Sequence, residues 1–541
     1  MEKKPNILII TTDQQRYDTL GINNRIIQTP NLDRLALEGC HFDRAYSPNP
    51  VCIPARHNML SGLTCKYHGF DDNDFSQIRS IPYYLPTFPQ ILSDAGYDPI
   101  GIGKLHHQPD RRHNGFHRYF MMDEIPHHRE DDDYAIYLRD HGYPEISALH
   151  GVRDPLYMMP QQSQVSIKHH GSTWVADVAI EQLKLNRGKR PFMFWLGFNH
   201  PHPPLDVPSE YANLYVSHAI PEATQSITPL NWLAEENQNI VHYPNASYLH
   251  RFKELYYASI TYVDIQIGRI LEELTSIGEL DNTLIIFCSD HGEMLGDLGT
   301  YQKFLPHDAS SRIPLIVRYP ARIKAGTQTS AFVSLNDILP TVLDLTGLPY
   351  PADYPLSGQS LFNLNDRTHT VMEHGRNARR WLSIVNKNYK YAYFYGGGRE
   401  ELYDMVNDPN ETNNCLVDPT PDHLVTKSEL RKQLIQWEIV HGLADHIENQ
   451  DFKRFDIPTP LPFMGTGALV FPSRIMDIEE RKLILPLAKQ ILNAVKNEPV
   501  VHLEDIDFSF MIKTGQLSSD EVAEIIATDK ETKKYKINIA A

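Results

Sequence analysis

Four short apolar runs along the chain break off abruptly into polar, chemically reactive residues. Asn6–Ile10 gives way to Thr11-Thr12-Asp13, Phe192–Phe198 to Asn199-His200-Pro201-His202, and Thr283–Cys288 to Ser289-Asp290-His291. The weaker run Tyr97–Ile102 leads into Gly103-Lys104-Leu105-His106. None of them alternates apolar with polar, so each reads as a strand buried on both faces, as in a parallel sheet. Ligands of such sheets collect beyond the carboxyl ends of the strands, where this chain places Asp, His and Lys. Helical signals fall between the runs. Thr29-Pro30 opens a helix that Gly39 stops, and Thr87 caps another that ends at Gly96. Tyr248–Leu274 carries Phe252, Tyr256, Ile260, Val263, Ile267 and Leu271 at helical spacing, a long helix facing the core. Strands alternating with helices predict an α/β fold.

The pattern changes near residue 370. Trp381–Val385 and Tyr389–Tyr395 flank Asn386-Lys387-Asn388 as a hairpin would, and Glu401–Asp404 adds a strand. A helix follows over Lys427–Trp437. The chain thus divides into a main domain over residues 1–370, a small antiparallel sheet with a helix over 371–450, and an extension over 451–541. In the extension Pro458–Pro462 is proline-rich, Asp477–Lys496 is helical but broken at Pro486, and Ser518-Ser519-Asp520-Glu521 forms a capping-box pattern. Phe452, Phe455, Phe463, Met464 and Phe471 give the extension no core of its own, so it is expected to pack on the main domain or on a neighbouring subunit. A homo-oligomer is left open on that basis.

Composition narrows the classes. The 51 Lys+Arg stand against 68 Asp+Glu, a net charge of −17, which argues against nucleic acid or an anionic membrane as the main partner. An anionic substrate would then need a local basic site. No run approaches the length of a membrane span, and Asn6–Ile10 is too short for a signal-peptide core. The five scattered cysteines suggest no disulfide framework, and cytoplasmic residence is the expectation, with secretion or the periplasm the alternative if a signal has been removed.

Three groups of residues carry candidate chemistry. In Cys52-Ile53-Pro54-Ala55-Arg56, Pro54 suits a first helical turn and Gly62 a stop, which places Cys52 at a helix N-terminus where N–H groups favour an anion. Arg56, one turn on, adds a fixed charge. A small buried cysteine ahead of a helix is the plainer alternative for this motif alone. Asp13 and Asp290-His291 follow two predicted strands and could meet at one sheet edge around a hard divalent cation, with Gln14 adding an amide oxygen; each alone would more often be a helix cap. Lys104, His106, His200, His202 and Lys303 form a basic set able to surround an anion and move protons, or else lie on solvated loops. His57, Asn58, Asp71–Asp74, His169 and His170 fall on rim segments with no role assigned.

Together these pieces resemble the sulfatase family of the alkaline phosphatase superfamily. The resemblance runs from Pro5-Asn6-Ile7-Leu8 and Asp13 through Thr29-Pro30-Asn31-Leu32-Asp33 to Cys52-Ile53-Pro54-Ala55-Arg56 with Leu60-Ser61-Gly62. It continues with Gly103-Lys104-Leu105-His106, Pro201-His202, Ser289-Asp290-His291-Gly292-Glu293 and Lys303, and ends with Glu401-Leu402-Tyr403-Asp404 and Asp408-Pro409. It spans about residues 5–440. Two positions depart from the family's pattern, Gln14 where Asp is frequent and Ala55 where Ser is frequent. The resemblance implies a large, mixed, mostly parallel sheet flanked by helices. It implies hydrolysis of a sulfate monoester, a saccharide sulfate among the candidates, to alcohol and sulfate. Cys52 would be matured to formylglycine by a formylglycine-generating enzyme, and its hydrate would be the nucleophile. Asp13, Gln14, Asp290 and His291 would hold a divalent metal, Ca²⁺ first, then Mn²⁺ or Mg²⁺. Arg56, Lys104 and Lys303 would neutralise the sulfuryl oxygens, His202 with Lys303 would protonate the leaving oxygen, and His106 would deprotonate the second hydroxyl. His200 would contact substrate. A phosphonate monoester or phosphate diester hydrolase of the same superfamily is the near alternative, and a non-catalytic binder of sulfated ligands the distant one.

Overall fold

A computed structural model of the chain describes residues 3–73, 79–126, 128–146, 149–151, 158, 160–230, 246–350, 353–364 and 367–457, with 519, 520 and 523. The readings on Pro458–Pro462, on Asp477–Lys496 and on most of the capping box near 520 lie outside these residues.

Nine strands form the central sheet among the described residues: β1 (Asn6–Thr12), β2 (Cys40–Tyr46), β3 (Asp98–Gly103), β4 (Arg118–Met121), β5 (Phe192–Gly197), β6 (Thr283–Ser289), β7 (Arg312–Ile313), β8 (Leu315–Arg318) and β9 (Thr327–Ser334). Their order is β9-β2-β8-β6-β1-β5-β3-β4, with β7 on β2. β1 runs parallel to β5 and β6, and β3 parallel to β4 and β5. β8 runs antiparallel between β2 and β6, which makes the sheet mixed.

Burial on both faces explains the unbroken apolar runs. Ile7, Ile9, Trp195 and Ile286 pack against α2 (Cys52–Ser61), α3 (Phe88–Asp94) and α6 (Ile338–Thr346), through Ile53, Met59, Leu92 and Leu339. Their neighbours Leu8, Ile10, Phe194 and Ile285 point the other way, onto α1 (Pro30–Glu38), α4 (Gly171–Asn186) and α5 (Ala246–Ser276). Each such side chain contributes roughly 1.5–3 kcal/mol by leaving water. Register then fixes the site. Thr12 lies opposite Ser289, and Gly103 opposite Gly197, so the strands release Asp13, Asp290, Lys104 and Phe198 at one edge.

Two glycines are needed there. Gly103 has φ +87, and a Cβ on it would lie 2.1 Å from the Gly197 carbonyl oxygen. A Cβ on Gly197 would lie 1.9 Å from the carbonyl oxygen of Lys104. Only bare backbone fits, and it lets Lys104 N donate to Gly197 O at 2.8 Å.

The second sheet comprises β10 (His369–His374), β11 (Trp381–Asn386), β12 (Tyr389–Phe394) and β13 (Arg399–Asp404), all antiparallel. The helix behind it is α7 (Pro421–Val440), longer at both ends than the sequence suggested, because Thr420 and His423 form a reciprocal cap and Pro421 takes the first turn. One face of the sheet packs Leu382, Ile384 and Leu402 on Leu430 and Leu434 of α7, joined by Phe452. The other sets Met372, Trp381 and Phe394 against Tyr46 and Phe332 of the main sheet. Among the described residues no helix is long and apolar enough to cross a membrane.

A buried ion network pins the second sheet. Arg380 bonds Glu373 at 2.8 Å and Glu438 at 2.6 Å, all three almost fully buried. Glu373 in turn accepts from Cys65 N at 3.0 Å. Removing the guanidinium leaves two carboxylates buried without their cation. Arg380→Ala should therefore lower unfolding stability by about 3–5 kcal/mol, read from denaturant midpoints at unchanged slope.

Candidate active site

Cys52 begins α2 and is fully buried at the sheet edge. Its Sγ lies 3.1 Å from His291 Nε2, 3.1 Å from Lys303 Nζ and 3.6 Å from Asp13 Oδ1. The helix start is not wholly open to an anion as the sequence suggested, because Asn73 Oδ1 accepts from Ile53 N at 2.9 Å.

The two strand-end carboxylates divide their oxygens between two tasks. Asp13 Oδ2 faces Lys104 Nζ at 2.6 Å and Arg56 Nη2 at 3.3 Å, and Asp290 Oδ2 accepts from Arg56 Nε at 2.9 Å. The Oδ1 atoms of both lie 3.6 Å from His291 Nε2. Burial would raise the Asp13 carboxyl, but Lys104 and the other cations outweigh it and hold it well below the usual carboxylate range. Burial pushes the His291 imidazole down to about 4, so it is neutral at pH 7. Its Nδ1 donates to the Gly292 carbonyl at 2.9 Å, which turns the Nε2 lone pair toward Cys52. Gln14, at φ +66, donates Nε2 to Glu293 Oε2, and that bond aims its Oε1 at Lys303 Nζ, 2.8 Å away. Asp13, Cys52, Asp290 and His291 each bring a ligand-type atom within 4.8 Å of the others. Oxygen donors of net negative charge with one neutral imidazole suit a hard divalent cation.

Other predicted residues complete the pocket. Arg56 is fully buried and also donates to the Lys104 carbonyl. Lys303 sits between residues of positive φ, Gln302 and Phe304, and its Nζ lies 2.8 Å from His202 Nε2. Burial holds the His202 imidazole well below its ordinary value, with Lys303 and Lys104 adding to the fall against the pull of Glu124, so His202 is neutral beside Lys303. Burial likewise keeps His106 neutral, and it approaches Cys52 and Glu124 within 4.8 Å. Burial, with Asp13 beside it, pushes the Cys52 thiol up to about 12.

His200 belongs to a second buried group. Its Nε2 pairs with Asp206 Oδ1 at 2.6 Å in a buried group with His170, apart from the atoms around Cys52. His57 is not on a rim. It is a buried residue of α2, its ring 3.9 Å from that of Phe70. Among the contributors, Asn73 and Glu293 lay in segments named from the sequence without a role of their own, and Asp123 and Glu124 were not named at all. Glu124 Oε2 meets Lys104 Nζ at 2.6 Å, its Oε1 lies 3.6 Å from His202 Nε2, and Asp123 Oδ1 lies 3.9 Å from His106 Nε2. The signal for Asp123 and Glu124 was present, since Tyr119–Met122 is a further apolar run ending in acids.

Comparison with known proteins assigns the family. Residues 5–348 match the sulfatase family model, and residues 296–439 match that of the C-terminal region of N-sulphoglucosamine sulphohydrolase. The chain belongs to the sulfatase family. An arylsulfatase of Clostridium perfringens is 31% identical over 448 residues, covering 76% of this chain and 90% of the relative. An N-acetylglucosamine-6-O-sulfatase of Bacteroides thetaiotaomicron is 28% identical over 76% of this chain and 83% of its own. The crystal structure of the phosphonate monoester hydrolase of Agrobacterium radiobacter superposes with a TM-score of 0.70 at 25% identity, over 82% of this chain and 97% of that one. This sulfatase is accordingly a sulfuric ester hydrolase with the mixed-sheet fold of that superfamily, and formylglycine and a bound metal are typical of its family.

Proposed function

We propose that the enzyme hydrolyses a sulfate monoester at Cys52 matured to formylglycine. The observation that carries this reading is the convergence of His291 Nε2, Lys303 Nζ and Asp13 Oδ1 on the Cys52 sulfur, which stands where the oxygens of the matured side chain would be. A divalent cation, Ca²⁺ first, would be held by Asp13, Asp290, His291 and Gln14 and would supply Lewis-acid charge at that position. The chain's own side chains do the rest. Arg56 ties both carboxylates and keeps their Oδ1 atoms on the cluster. Lys104 and Lys303 offer ammonium groups to the sulfuryl oxygens. The Lys303–His202 pair holds a proton beside the leaving-group oxygen, and neutral His106 stands ready to accept one. The arylsulfatase and N-acetylglucosamine-6-O-sulfatase relatives support an aryl or saccharide sulfate as substrate.

The likeness to a phosphonate monoester hydrolase sustains a second reading, since such an ester is also a tetrahedral monoanion. Measuring kcat/KM for an aryl sulfate and an aryl phosphonate monoester decides between them. The sulfate is expected to be the better substrate, and the reverse ranking would replace the first reading with the second. The Cys52 peptide should have the mass of formylglycine rather than cysteine.

The metal assignment has its own test. Asp290→Asn removes a ligand charge and the acceptor of Arg56 Nε. Metal affinity should fall at least about tenfold to a hundredfold, with activity falling alongside it. Unchanged metal content by elemental analysis would remove Asp290 from the site.

A further inference from the structure

Glu124 is a carboxylate in the wrong place for an enzyme that binds anions. It is 9% exposed, and it comes within 4.8 Å of the Cys52 sulfur and of a His106 ring nitrogen. Its Oε2 accepts a hydrogen bond from Lys104 Nζ at 2.6 Å, although Asp13 Oδ2 already faces the same ammonium at 2.6 Å. Lys104 therefore does not need a second counter-ion for neutrality. With Asp123 further out beside His106 at 3.9 Å, the cations Arg56, Lys104 and Lys303 around the nucleophile face the carboxylates of Asp13, Asp290 and Glu124. Of these three carboxylates only Glu124 is outside the proposed metal site.

Resting on the reading above, we propose that Glu124 is a charge filter that admits monoanionic esters and disfavours dianions in the same pocket. A sulfate monoester carries one negative charge. Its hydrolysis consumes water and yields the alcohol, sulfate dianion and one proton, so the product carries one charge more than the substrate. A fixed carboxylate beside the anion pocket repels each added charge, and burial leaves little solvent to screen that repulsion. It thereby favours release of sulfate. By the same force it rejects phosphate monoesters, which are mostly dianions above their second pKa of about 6. The shape of the site does not separate these cases, because all are tetrahedral oxyanions. Charge does.

The test uses the full-length matured enzyme and its Glu124→Gln and Glu124→Asp variants at pH 8. Inhibition by inorganic sulfate and by inorganic phosphate is measured, together with kcat/KM for an aryl sulfate and the matching aryl phosphate. In Glu124→Gln both inhibition constants should fall, and the phosphate-to-sulfate ratio of kcat/KM should rise, each by about tenfold or more, equivalent to about 1.4 kcal/mol. Glu124→Asp should keep the parent's selectivity. Unmoved constants in Glu124→Gln would overturn the proposal, as would an equal change in both variants. So would a loss confined to substrates with a cationic leaving group, which would assign the carboxylate to that group instead. A thermal melt checks folding of each variant. Independently of any variant, titration calorimetry on the parent should show inorganic sulfate binding at least about tenfold more weakly than a monoanionic aryl sulfonate, and tighter binding of sulfate would also overturn the filter. If the parent fails to hydrolyse aryl sulfate, the functional reading falls. If it does hydrolyse it but selectivity is unmoved, only the role of Glu124 falls.

Discussion

Cys52→Ala should lower kcat/KM for an aryl sulfate by about a thousandfold or more, with the protein still folded. The thiol fills little space, and its loss from the start of α2 leaves the helix bounded by Val51, Asn73 and Gly62. Asp13, Arg56, Lys104, His291 and Lys303 all remain, so the variant should bind substrate and not turn it over. Cys52→Ser, kept unmatured, separates the aldehyde chemistry from simpler schemes. A serine presents one hydroxyl, and once that oxygen carries the sulfuryl group no second hydroxyl remains for His106 to deprotonate. A stable sulfate ester on the introduced serine, seen by intact mass after substrate exposure, is the expected result. Sustained turnover by Cys52→Ala would show that the residue at position 52 is not the nucleophile, and sustained turnover by the unmatured Cys52→Ser with no adduct would show that a single hydroxyl or a water suffices and that the two-hydroxyl scheme is wrong.

Arg56→Ala should cost both fold and function. The guanidinium is fully buried and spans Asp13, Asp290 and the Lys104 carbonyl. Without it two carboxylates face each other with less compensation, and stability should fall by about 3–5 kcal/mol. Activity should fall about a hundredfold or more, since both Oδ1 atoms lose the group that fixes their direction. Added divalent cation should recover part of the lost melting temperature in this variant, because a cation replaces some of the missing charge. Arg56→Lys keeps the charge but lacks the planar fork, so it should reach one carboxylate and not both. A smaller stability loss with a similar kinetic loss is expected there. Equal melting temperatures for the parent and Arg56→Ala would contradict the assigned role.

Most of the frame could be read from the sequence because its signal is local. Unbroken apolar runs ending in Asp13, Lys104 and Asp290 reflect strands buried on both faces, and those strands do end level. The long helix through Phe252 and Leu271 and the hairpin at Asn386-Lys387-Asn388 follow the same logic. What escaped was pairing at a distance. Nothing local marks Glu293 as the group that orients the Gln14 amide, or Asn73 as the acceptor for α2, since both bonds join segments chosen by the fold. His200 shows the converse. Two residues from His202 along the chain, it turns to Asp206 and His170 rather than to Cys52, and no pattern of residue types records which way a ring faces.

The loop bearing Lys303 is held from behind by the second sheet. Trp381 Nε1 donates to Phe304 O at 2.8 Å, Lys390 Nζ reaches Pro306 O at 3.0 Å and Asp308 at 2.6 Å, and Asp308 N donates to Glu411 at 2.6 Å. The wall of the pocket is thus built from late chain, while position 52 is made early. During synthesis roughly 350 residues separate the appearance of Cys52 from that of its last supports, an interval of roughly tens of seconds on the ribosome. If Cys52 is matured as proposed, a modifying enzyme would reach it in that interval, before the fold buries it completely. The order of translation would then set a window for maturation, and a chain that folded before conversion would close around an unconverted thiol.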